Sequence, residues 1–220
     1  MPVVAVENFW GDITRQIGGG HVQVTSIVTD PRADPHSYEA DPRAAAAISS
    51  ATFIVKNGLG YDGFADKLLN ASPSRSREVL TIATTVSASG AGMNPHLWCS
   101  PDYVKAGAAA IADQLARADP ADAAGFRRGL KAFLTAYQPY VDTLAAIKAK
   151  YTGAAVSFTE RVPGYLLAAA GLRLATPATF AQAIEDGNDP SPADVPPSTR
   201  PERQDGEGLV LQRPGDQPHD

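Results

Sequence analysis

The chain has 220 residues, 44% of them hydrophobic and 20% charged, with a formal net charge of −5. That is the make-up of a globular protein long enough for one good core or two modest ones. The acid excess excludes a nucleic-acid partner, which needs a basic face. The single cysteine, Cys99, excludes an internal disulfide and a cysteine-rich zinc cluster.

No apolar run reaches the roughly 18 residues of a membrane span. No charged-then-apolar leader precedes the first strand either, so the leader of an exported protein is expected to be missing from this chain.

Val3–Val6 reads as a buried strand, with Glu7 to Trp10 at its end, and Asp12–Ile17 as a helix stopped by three glycines. Val22–Val28 is a β-branched strand. A proline-rich loop then leads to Asp34-Pro35-His36-Ser37-Tyr38-Glu39, and Asp41-Pro42 opens an alanine-rich helix to Ser50 with an acidic cap and a proline at its first position. Ala51–Val55 forms a third strand, followed by Asn57-Gly58-Leu59-Gly60, which reads as a strand-to-helix turn because no Lys-Ser pair follows it to make a phosphate loop. A helix runs through Leu69, Val79–Ile82 is a fourth strand, and a Ser/Gly segment leads to Asn94-Pro95-His96-Leu97-Trp98. Repeated strand and helix with short connections predicts a parallel sheet covered by helices, whose ligands collect beyond the carboxyl ends of the strands.

From Pro101 to Tyr151 the period becomes helical. Phe126, Leu130, Phe133, Tyr137, Val141, Leu144 and Ile147 recur every three or four residues, which predicts core packing, and Pro139 is expected to kink the helix or end a turn. Ala154–Phe158 reads as a strand with Thr159-Glu160 at its end, Pro163–Ala170 as a helix, Leu172–Ala175 as a further strand, and Phe180–Glu185 as a helical turn or two. After Val195 a proline- and glycine-rich tail begins, expected to be disordered, so the second lobe has at most two strands.

The expected organisation is therefore α/β: a βα lobe over residues 1–100, a long helical link over 101–151, a partial second βα lobe over 152–195 and an aberrant tail over 196–220. Three of the four histidines directly follow a proline, and two of these, His36 and His96, do so in loops after the strands of the first lobe. Proline fixes the local backbone, so each imidazole leaves the chain in a defined direction, as a metal ligand must. The pair points to one shared transition metal. Glu160, at a strand end of the second lobe, supplies a candidate carboxylate, and two imidazoles with a carboxylate suit Zn²⁺ or Mn²⁺. A zinc hydrolase, activating water at an open metal position with Glu39 as general base, is the alternative from another class; the sequence holds no His-Glu-x-x-His helix to support it.

Taken together and in order, the Asp34–Glu39, Asn57–Gly60 and Asn94–Trp98 segments, with Thr159-Glu160 and Tyr165, resemble the successive motifs of the zinc/manganese solute-binding proteins of ABC transporters. The resemblance runs from about Val3 to Val195. It implies two βα lobes joined by a long rigid helix, metal held in the cleft between them, and delivery to a membrane permease without catalysis. It implies an extracytoplasmic location, periplasmic or as a cell-surface lipoprotein, with membrane contact only through a lipid anchor or that permease. Carried over by position, His36 and His96 match the two first-lobe ligands and Glu160 the third. The family's fourth ligand, an Asp late in the second lobe, has no counterpart here. A truncation or frame shift near Val195 and a weakened metal site are the corresponding expectations.

Overall fold

The computed structural model describes residues 1–30, 33, 38–90 and 92–194, and the backbone of 209–211. The chain divides into two compact units, 1–98 with 102–138, and 99–101 with 139–220.

In the first unit, β1 (Pro2–Glu7) is buried from Val3 onward, as a central strand covered on both faces must be. It passes at once into α1 (Asn8–Gly18), which starts four residues earlier than the apolar pattern predicts. β2 (Gln23–Val28) returns beside it. α2 (Pro42–Ser50) opens as its sequence requires: the Asp41 carboxylate accepts from the Ala44 N–H at 2.7 Å, and proline takes the first turn. β3 (Phe53–Lys56) is buried throughout. α3 (Gly63–Ala71), β4 (Glu78–Thr81) and the short α4 (Ile82–Thr85) follow.

All four strands are parallel, in the order β2-β1-β3-β4. Val4 pairs with Thr25 on one side and Ile54 on the other, and Val55 pairs with Leu80. After β2 the chain thus crosses back over β1, and the direction of winding reverses between β1 and β3. A parallel sheet opens a ligand crevice at the carboxyl ends of two such strands.

α5 (Pro101–Ala118) buries Val104, Ala108, Ile111, Ala112 and Leu115, one stripe at helical spacing. In α6 (Ala123–Tyr151) the seven residues of the predicted stripe are all buried or half-buried. The helix runs on through Pro139 rather than ending there. Proline lacks the N–H that the Thr135 carbonyl would accept, and both residues are exposed, so water can satisfy that carbonyl.

The second unit builds a small parallel sheet of order β6-β5-β7 from β5 (Ala155–Phe158), β6 (Arg173–Leu174) and β7 (Leu209–Leu211), with helices α7 (Gly164–Ala169) and α8 (Ala178–Glu185). Val156, Phe158, Leu167 and Ala181 form its core, with Leu172 against them. β7 corrects the expectation of at most two strands and a tail structureless throughout 196–220. Its backbone pairs in parallel with β5, Val156 opposite Leu209 and Phe158 opposite Leu211. A two-residue β6 leaves the other edge of β5 unpaired, and an apolar Leu-Val-Leu triplet is the one part of that tail suited to fill it. The rest of the tail lies outside the described residues.

Candidate metal centre

His96 is 2% exposed, and its loop is docked at the reversal between β1 and β3. Asn57, the residue after β3, donates from Nδ2 to the Pro95 carbonyl at 2.9 Å and accepts from Trp10 Nε1 of α1 at 3.1 Å. Gly58 turns the chain there at φ 88°, and a Cβ at that position would lie 2.7 Å from Thr81 Cγ2, so only glycine fits.

Local hydrogen bonds define the state of the imidazole. The His96 backbone N–H donates to Asn94 Oδ1 at 3.0 Å, which identifies that atom as the carbonyl oxygen. The same oxygen lies 2.6 Å from His96 Nδ1, so Nδ1 must carry the proton and donate. In the neutral ring this places the lone pair on Nε2, the form in which histidine binds a metal.

Aromatic rings wall this imidazole. Tyr61 meets it edge-on with centroids 5.5 Å apart and Trp98 at 5.1 Å, while Phe9 stacks on Trp98 at 4.0 Å. The sequence reading named none of Asn57, Asn94, Trp10 and Tyr61 as site residues. Asn94 was within reach, because an Asn two residues before a histidine can cap that residue's own N–H.

Beneath the same crevice lies a buried charge cluster. Asp62 is fully buried and accepts the Gly58 N–H with both oxygens, at 3.1 and 3.0 Å. Lys56 Nζ lies 3.5 Å from Asp62 Oδ1 and also pairs with Asp66. Glu7, fully buried at the end of β1, completes the group. Burial first, and then the neighbouring Asp62, push its carboxyl well above its usual 4.5, with Lys56 pulling weakly the other way. A neutral Glu7 leaves the buried pair of Lys56 and Asp62 balanced.

A raised carboxyl makes the folded chain hold a proton that the unfolded chain releases above about pH 4.5. Stability from this group is therefore lost as pH rises from the unfolded value to the folded one, by about 1.4 kcal/mol for each unit between them. Glu7→Gln, which keeps the neutral shape, is expected to melt close to the wild type at pH 4 and above it at pH 7. Equal midpoints at both values would contradict the assignment.

Glu160 is half-buried in the turn after β5. Two clamps fix that turn. Thr176 Oγ1 donates to the Phe158 carbonyl at 2.8 Å and accepts from the Phe158 N–H at 2.9 Å. Arg161 forks onto Glu185 at the end of α8 through two bonds of 2.9 Å. His36 lies outside the described residues, and among those described no three His, Cys, Asp or Glu side chains gather to hold a metal. Glu39 is exposed. Burial pushes the Cys99 thiol up to about 11, so it stays protonated at neutral pH and is a poor ligand. Among the described residues no helix is long and apolar enough to cross a membrane.

Comparison with known proteins agrees with this architecture. The chain is 30% identical over 157 residues to the metal ABC transporter substrate-binding lipoprotein ScbA of Streptococcus cristatus, covering 66% of this chain and 48% of that protein. It is 28% identical over 138 residues to the manganese-binding lipoprotein MntA of Halalkalibacterium halodurans, covering 61% and 45%. The chain spans about half the length of the curated relatives it matches. The crystal structure of ZnuA shares its fold, with a TM-score of 0.73 at 24% identity over 88% of this chain and 74% of that one. The family model of ZnuA, the periplasmic component A of the zinc-uptake complex, matches residues 3–199, and the chain belongs to that family.

Proposed function

We propose that the chain is an extracytoplasmic solute-binding protein that captures a divalent transition metal, Zn²⁺ or Mn²⁺, and hands it to the membrane permease of an ABC transporter. His36, His96 and Glu160 are its ligands, the first two from the first lobe and the third from the second. The observation that carries this reading is the His96 imidazole. It is buried at the sheet's reversal point, with Nδ1 held by Asn94 so that the direction of the ring is fixed. Two neutral imidazoles and one carboxylate hold either metal without cysteine. The metals named for the relatives, zinc and manganese among them, are the same class of cargo. Capture and release need no turnover, so the reading is of a carrier rather than a catalyst.

A melt of metal-free protein with and without Zn²⁺ or Mn²⁺ tests this. A ligand that binds only the folded state adds about 2.7 kcal/mol at one hundred times its dissociation constant, so the midpoint is expected to rise. In His96→Ala the rise is expected to vanish. An undiminished rise in that variant would remove His96 from the site.

A further inference from the structure

We propose that Asn57 is a positioning residue for metal capture, holding the peptide that carries His96; this rests on the reading of His96 as a ligand. The Pro95–His96 peptide is gripped at both of its polar groups. Its N–H donates to Asn94 Oδ1 at 3.0 Å, a local bond within the loop. Its carbonyl accepts from the Leu97 N–H at 2.7 Å, again within the loop, and from Asn57 Nδ2 at 2.9 Å, a bond across 38 residues that ties the loop to the end of β3. Asn57 is itself immobilised. It is fully buried, accepts from Trp10 Nε1 at 3.1 Å, donates to the Gly58 carbonyl at 3.1 Å, and receives the Ala83 N–H on its own carbonyl at 2.9 Å.

The His96 peptide is thus tied to the end of β3 through the Asn57 carboxamide. A metal site tolerates little freedom in its ligands, because a ligand that must be ordered on binding pays that cost out of affinity. Cutting the tie from Asn57 should therefore weaken metal capture even where the fold survives, since the remaining bonds of that peptide lie within the loop.

The test uses metal-free protein, Zn²⁺ and a competing chromophoric chelator, at a temperature where each variant's circular dichroism shows it folded. Asn57→Ala removes the clamp. Asn57→Asp keeps its shape and its acceptor for Trp10 but has no donor for Pro95. Both are expected to lose about 10–100-fold in Zn²⁺ affinity, the range typical of supports behind a ligand. Gly129→Ala, whose Cβ would lie 2.0 Å from the Ile17 carbonyl oxygen and which touches neither Asn57 nor a ligand, is expected to lower the melting midpoint and keep the affinity within about threefold, since the clamp and the ligand survive.

If His96→Ala abolishes binding while both Asn57 variants bind like the wild type, the inference is overturned and the ligand reading stands. If His96→Ala binds like the wild type, both fall. In the wild-type protein the Asn57 side-chain amide protons are expected to exchange slowly with solvent. Fast exchange of both would overturn the clamp even if neither Asn57 variant folds.

Discussion

Lys56→Met is expected to destabilise the protein by about 3–5 kcal/mol, the cost of stripping a buried carboxylate of its partner. Lys56 is 5% exposed, and its Nζ lies 3.5 Å from the fully buried Asp62. The substitution fills most of the volume with an apolar chain, so packing loss is minor. What remains is Asp62, charged, beside Glu7, with only the two Gly58 hydrogen-bond contacts to hold it. For a protein of this size the midpoint should fall by about 10 °C. Pairing the change with Asp62→Asn removes the stranded charge and should recover part of the loss. A single variant that melts within about 1 kcal/mol of the wild type would show that the cluster is solvated after all.

Two glycines one turn apart on α6 should respond with opposite signs to the same substitution. A Cβ on Gly129 would lie 2.0 Å from the Ile17 carbonyl oxygen and 2.8 Å from its carbon, backbone atoms that cannot swing aside. α6 crosses α1 at this point because nothing larger than hydrogen stands there. Gly129→Ala must push the two helices apart, and a cost of about 2–3 kcal/mol is expected despite the gain of about 1 kcal/mol in helix propensity. At Gly125 the nearest atoms to a Cβ are 3.8 Å away, on the Arg128 and His21 side chains. There only the propensity term remains, so Gly125→Ala should raise stability by up to about 1 kcal/mol. Thermal or denaturant melts of the two variants decide this, and equal signs would contradict the packing described.

Much of the fold is written in local pattern. β1 and β3 are legible as unbroken apolar runs because both of their faces are covered, and the Asp41-Pro42 start of α2 is chemically specified by its first two residues. The α6 stripe is legible for the same reason, since burial follows helical spacing there. The start of α1 is not, because Phe9 and Trp10 in its first turn serve the crevice as well as the helix. Strand order is not local either. Nothing in the residues of β3 says that it lies beside β1 rather than β2, yet that choice creates the crevice.

The candidate site divides in the same way. A histidine behind a proline is visible in one dimension, and so is its link to Asn94 two residues earlier. Asn57 is not. In sequence it is one polar residue before a glycine turn, and only the folded chain brings it to a carbonyl 38 positions away. Leu209–Leu211 shows a different limit. Three apolar residues in a polar stretch carry no period of their own, and they become a strand because β5 offers an edge.

The most direct measurement is a Zn²⁺ titration of the metal-free chain against a competing chromophoric chelator, with His36→Ala, His96→Ala and Glu160→Gln alongside. The account predicts one site per chain, abolished by either histidine substitution and weakened by at least tenfold in Glu160→Gln. Undiminished binding in all three variants, or none in the wild type, would contradict it.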